Sequence, residues 1–191
     1  MRPLNAVQRF LIWTLTSLVV GTALALALAY APVPMRRLGL TYAVYGIAGG
    51  LLIGRLAREL HVRKSVLLPV VGVASLTIGG TQLAWASYQQ LRSARDAELA
   101  SHPEQLAILA MMEKIGESDP KIASDYQQRK SEMQTTFGEY LHFRYTPLGD
   151  FQAPWPALFW GLELSLAAAL GGWMVWRTPL QVESPSQEID E

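Results

Sequence analysis

The sequence predicts an all-α protein, a polytopic four-helix transmembrane bundle with a small helical extramembrane cap between helices 3 and 4. Three observations carry this expectation. Four nearly charge-free apolar stretches, at 10–30, 38–54, 66–88 and 155–176, are each close to the roughly 20 helical residues that a bilayer core requires. The charges are segregated, dense between 89 and 150 and after 181, as expected when part of a chain meets lipid. Small residues recur at four-residue spacing inside the stretches, which marks helix contact faces where lipid replaces water.

The resulting plan places transmembrane helices 1–3 in residues 1–88, a helical extracytoplasmic cap in 89–150, transmembrane helix 4 in 151–178 and a disordered acidic tail in 179–191. The first stretch also has features of a signal peptide, with Arg2 and Arg9 ahead of the apolar run and Ala27-Leu28-Ala29 as a small-residue cleavage site. Its apolar core is longer than the roughly 7 to 15 residues of a signal h-region, so a retained membrane helix is expected.

Cytoplasmic flanks carry the excess of Lys and Arg. An N-terminus inside gathers Arg2, Arg9, Arg55, Arg58, Arg63, Lys64 and Arg177 in the cytoplasm. Arg36 and Arg37 in the first loop, and Arg92, Arg95 and Arg144 at the margins of the long one, then fall outside. Both termini are therefore expected in the cytoplasm, in a plasma or inner membrane, with 89–150 on the far side.

The long segment reads as helical. Tyr88 runs on through Gln89, Gln90 and Leu91 to Leu99 without a breaker, so helix 3 is expected to project as a stalk. Ser101-His102-Pro103-Glu104 resembles a capping box with proline in the first turn, opening a short helix that Gly116 closes. Ser118-Asp119-Pro120 offers a second start, after which Ile122, Tyr126, Met133, Phe137 and Tyr140 recur at helical spacing until Pro147. Asp125 and Arg129 sit one turn apart there, a pairing that contributes a few tenths of a kcal/mol at most. Trp155 and Trp160 at one end, and Trp173 and Trp176 at the other, bracket helix 4 as interfacial belts. Pro179 stops it, and the polar, acidic 183–191 is expected to be disordered.

On helix 2, Gly46, Gly50 and Gly54 make two consecutive G-x-x-x-G steps. Gly21, Ala25 and Ala29 repeat the spacing on helix 1, Gly72, Ser75 and Gly79 mark helix 3, and Ala168 and Gly172 mark helix 4. These faces are expected to pack the bundle; a homo-oligomer through helix 2, or another membrane protein as partner, are the alternatives. Glu163 is the one acidic residue inside an apolar stretch. A carboxylate at that depth costs several kcal/mol unless it is neutral, paired or hydrated, which makes it a functional candidate by default. The alternatives are proton or cation handling, a polar lock to a partner helix, or a hydrogen bond within the bundle to Gln82, Thr81, Thr77 or a carbonyl. Trp160 and Trp13 would line such a site or act as belts. The turn carrying Arg55, Arg58, Arg63 and Lys64 against Glu59 suits anionic lipid headgroups as well as simple positive-inside bias.

Several function classes are excluded or disfavoured. With 16 basic and 16 acidic residues there is no field to gather nucleic acid. Zero cysteines exclude disulfides, thiolate metal sites and a cysteine nucleophile. His61, His102 and His142 are too scattered for a metal pair, and no phosphate-binding, dinucleotide or hydrolase motif occurs. No cofactor or metal is expected. The large loop between helices 3 and 4 resembles the tetraspanin plan in outline, but the cysteines that define that loop are wholly missing, so the family is not assigned. The first expectation is thus a non-catalytic membrane scaffold or accessory subunit, with the lipid bilayer and other membrane components as partners. A small transporter or proton-coupled component using Glu163 is second, and a membrane-embedded enzyme using Glu139, His142 and Arg144 is third.

Overall fold

A computed structural model describes residues 5–31, 40–116, 119–133 and 135–178. Those residues are helical with short connections and no strand, and four of the helices are long and apolar enough to cross a membrane. The expectations for Arg2, Arg36, Arg37, Ser118, the side chain of Arg129, Pro179 and the tail lie outside the described residues.

Local sequence sets the ends of each helix. Helix α1 (Ala6–Ala29) opens on a capping box in which the Asn5 side chain accepts from the Gln8 backbone N–H at 2.8 Å and Gln8 accepts from Asn5 N–H at 3.1 Å. Helix α2 (Leu40–Glu59) closes in a Schellman motif: Val62 N–H reaches Ala57 O at 2.9 Å and His61 N–H reaches Arg58 O at 3.0 Å. That motif needs a left-handed residue, and His61 supplies it at φ 52° in place of the usual glycine. Val62 and Ala57 are both buried beneath it, so the path into the next helix is tied down.

Helix α3 (Leu67–Ala100) has 34 residues, about 51 Å at 1.5 Å per residue, well beyond the roughly 30 Å of a hydrocarbon core. The Ser101 hydroxyl donates to Glu98 O at 2.6 Å, so it closes α3 instead of capping α4 (Pro103–Gly116) as its sequence context suggested. Proline at the first position of α4 forgoes an N–H that would have no helical partner there. Asp119 accepts from Lys121 N–H at 2.9 Å and starts α5 (Pro120–Met133).

The single helix expected from Ile122 to Pro147 is two. Thr135 and Thr136 are non-helical, and Thr136 with Glu139 forms a capping box at the head of α6 (Phe137–Tyr145). A hydroxyl that accepts from Glu139 N–H at 3.2 Å, with a carboxylate that accepts from Thr136 N–H at 2.7 Å, satisfies two otherwise orphaned donors. A 3₁₀ turn, Thr146–Leu148, and α7 (Trp155–Arg177) complete the described chain.

The chain divides into two units. The first holds α1, α2, α3 up to Ala84 and α7 from Phe159. Its interior combines large buried side chains, Trp13, Tyr42, Tyr45, Ile53 and Leu76, with small residues at which backbones approach closely. A side-chain carbon added to Gly50 would lie 2.6 Å from Gly171 Cα, and one added to Gly171 would lie 2.8 Å from Gly46 O. Between α1 and α3, Gly79 and Gly21 stand in the same relation, with 2.6 Å to Gly21 O. On α1 the buried residues are Trp13, Ser17, Gly21, Ala25 and Ala29, every fourth position. The outer faces carry the large apolar side chains: Val7, Leu11, Leu15 and Val19 on α1, Val44, Ile47 and Leu51 on α2, Leu162 and Leu166 on α7.

The second unit runs from Trp85 to Leu158. There α4 packs against α5, and an aromatic cluster of Trp85, Tyr88, Phe137 and Tyr140 joins α3 to α6, with Tyr88 and Phe137 edge to face at 5.7 Å. The Tyr88 hydroxyl donates to Thr135 O at 3.0 Å, and Arg95 donates to the Thr135 hydroxyl at 3.3 Å. The α5–α6 break is thereby held from α3.

Candidate functional site

Polar side chains inside the first unit are the candidates for chemistry, and most of them are engaged with backbone. Tyr42 and Tyr45 lie one turn apart on the face of α2 that carries Gly46 and Gly49, and both are buried. Tyr45 places its hydroxyl between Gly21 O of α1 and Leu76 O of α3, at 3.2 and 3.0 Å. The hydroxyl fits there because Gly79 has no side chain to occupy the space. Tyr42 donates to Gly80 O at 3.2 Å and accepts from Trp160 Nε1 of α7 at 3.1 Å. Trp13 is fully buried, and its Nε1 donates to Ile53 O at 3.1 Å. Its position near a helix end suggested a belt residue; its place is between α1 and α2 instead.

Glu163 is partly buried on α7. It sits one turn after Trp160 and one turn before Ala167, whose backbone lies against Gly46. Gln82 is exposed, the Thr77 hydroxyl donates to Val73 O at 2.9 Å and the Thr81 hydroxyl to Thr77 O at 2.9 Å. Both threonines therefore satisfy their hydroxyls within α3.

The glycines named from sequence have these neighbours: Gly46 meets Ala167, Gly50 meets Gly171, Gly54 meets Thr178, Gly21 meets Ser75, Gly72 meets Val175, Gly79 meets Gly21 and Gly172 meets Val73. Arg55, Arg58, Arg63 and Lys64 are all exposed. Arg58 and Glu59 approach at 4.0 Å, Lys64 Nζ lies 4.8 Å over the Trp176 ring, and the Arg177 guanidinium lies 4.2 Å over Trp173.

In the second unit, the trio considered for catalysis separates into three structural contacts. The Glu139 carboxylate belongs to the capping box. His142 sets Nδ1 3.0 Å from Phe151 O and Nε2 3.6 Å from Asp150 Oδ1. Arg144 is buried, with its guanidinium 5.5 Å over the Tyr145 ring. His102 has Nδ1 3.0 Å from Glu98 O, at the end of α3. Among the described residues, no group of three or more His, Cys, Asp or Glu gathers as a metal site. Comparison with protein-family models, with curated proteins and with solved structures gives no match.

Sequence reasoning passed over Tyr42 and Tyr45. Their signal was present in their spacing, since two tyrosines share a stripe with the glycines of α2 and a hydroxyl on a glycine face has a neighbouring backbone within reach.

A cap and a catalytic carboxylate respond differently to substitution. We predict that Thr136→Ala lowers unfolding stability by about 1 kcal/mol, the usual worth of an N-cap, while Glu139→Gln stays near the parent because Gln also closes a capping box. Thermal unfolding of the purified full chain checks both. A neutral Thr136→Ala would contradict the cap assignment.

Proposed function

We propose that this protein is a non-catalytic integral membrane scaffold or accessory subunit whose α1, α2, α3 and α7 form a four-helix transmembrane bundle. The reading rests most on one observation: the buried hydroxyls of Tyr42 and Tyr45 and the buried indole of Trp13 hold helix to helix through backbone carbonyls, as Tyr45 does with Gly21 and Leu76. Side chains committed in this way fix geometry and are not available to move a substrate. Close backbone approach at glycines, together with large apolar residues on the outer faces, supports the membrane part. Hydrocarbon tails are as apolar as leucine, so helices in lipid associate by close packing and leave leucine facing outward.

In this reading both termini are cytoplasmic and residues 89–150, the cap, lie on the opposite side, from the asymmetry of Lys and Arg. Because the chain has no cysteine, single cysteines report cleanly. A cysteine replacing the exposed Glu113 is predicted to react with an impermeant thiol reagent from outside intact cells, and a reporter fused after Arg177 to be cytoplasmic. Protection of the cysteine at position 113 until the cells are lysed would overturn this topology.

The second reading, a small transporter or proton-coupled component, is favoured by Glu163 alone, an acidic residue partly buried within α7. Proton or cation handling needs a titrating carboxylate, whereas a structural role needs only a polar group of that shape. We predict that Glu163→Gln retains expression and assembly. Glu163→Leu should lower stability by about 1–3 kcal/mol by leaving its hydrogen-bonding surroundings unsatisfied. Proteoliposomes of the parent are predicted to show no proton or cation flux above empty vesicles. Flux that disappears in the Gln variant while assembly is intact would replace the scaffold reading with the transporter reading.

A further inference from the structure

One end of the first unit collects cations that lie far apart in sequence. The Schellman turn of α2 sets the direction of the chain carrying Arg63 and Lys64, with Arg55 and Arg58 on the last turns of α2 just before it. The end of α7 arrives beside them: a side-chain carbon on Gly54 would lie 3.1 Å from Thr178 Cβ, and Lys64 Nζ stands over Trp176. Arg177 thereby joins the four cations of the turn, and the two indoles Trp173 and Trp176 stand with them, both exposed.

Among the described residues, no carboxylate other than that of Glu59 pairs with these cations. Glu59 is the acidic residue of the turn, and its approach to Arg58 is at 4.0 Å between exposed side chains, a geometry of little energetic worth. Lys64 and Arg177 rest on indole faces. Such contacts hold a cation in place by the ring quadrupole and leave N–H groups able to donate to a phosphate. Indoles prefer the headgroup level of a bilayer, so they set these cations at the depth of lipid phosphates.

We infer that Arg55, Arg58, Arg63, Lys64 and Arg177, with Trp173 and Trp176, form a binding surface for the phosphates of anionic phospholipid headgroups in the cytoplasmic leaflet. This inference rests on the membrane reading above. It goes beyond positive-inside bias, which depends on how many cations flank a helix, whereas this surface depends on where α7 brings Arg177.

Native mass spectrometry of the full chain in detergent, titrated with phosphatidylglycerol or phosphatidylcholine, tests it without reference to topology. The parent is expected to bind phosphatidylglycerol at least tenfold more tightly. Lys64→Gln with Arg177→Gln should lower that affinity by roughly fivefold per cation removed, the equivalent of about 1 kcal/mol per basic residue at an anionic surface. Arg92→Gln with Lys114→Gln makes the same change of net charge in the other unit and should leave the preference unchanged. Equal loss in both double variants would show a global charge effect and overturn the inference. So would equal binding of the two lipids, or displacement of phosphatidylglycerol by millimolar glycerol phosphate, which would make the site one for soluble phosphate. Resistance of the parent to alkaline extraction from membranes tests the membrane reading separately: extraction would overturn both, and retention without lipid preference would overturn only the inference.

Discussion

The closeness of the α2 backbone to α7 is the constraint on which the rest of the first unit depends. Gly46 and Gly50 lie against Ala167 and Gly171 with no room for a side chain between them. At that separation backbone atoms make dispersion contacts on both sides, each worth only about 0.1–0.2 kcal/mol but numerous along two facing helices. In the proposed membrane setting helices gain little from burying leucine, so there this contact would supply what a hydrophobic core supplies in water. The same closeness between α1 and α3, at Gly21 and Gly79, lets the Tyr45 hydroxyl reach carbonyls on two helices.

From that geometry follows the disposition of polar groups. Tyr42, Tyr45, Trp13 and Trp160 each sit where a carbonyl or hydroxyl of a neighbouring helix can be reached. A hydrogen bond between membrane helices contributes on average only about 0.6 kcal/mol, so in the proposed membrane setting these bonds would select one arrangement of the helices more than they hold it together. What the packing leaves exposed is the cationic, indole-bearing end shared by α2 and α7.

The four long apolar helices were legible because length and absence of charge are properties of contiguous sequence. The four-residue recurrence of Gly46, Gly50 and Gly54 was equally readable, since helical periodicity puts such residues on one face. Features that depend on side-chain hydrogen bonding to backbone were harder. The break before α6 was hidden by an apolar period running through Met133, Phe137 and Tyr140, although Thr136 and Glu139 spell a capping box. Ser101 had two helix ends within reach and serves the earlier one. Charge asymmetry grouped Arg177 with Arg63 and Lys64 on one side, but their adjacency was not legible, because more than 100 positions separate them and only the packing of α7 on α2 and α3 brings them together.

Whether backbone closeness at the glycine stripe of α2 organises the first unit is decided by an alanine scan along that helix, read as thermal stability of the detergent-solubilised chain. Helix propensity alone favours alanine over glycine by about 1 kcal/mol, so the sign of the effect decides. Gly46→Ala and Gly50→Ala are expected to lose stability while Val44→Ala, Ile47→Ala and Leu51→Ala, on the outer face, stay near the parent. Stabilisation by alanine at both glycines would contradict an organising role for the stripe.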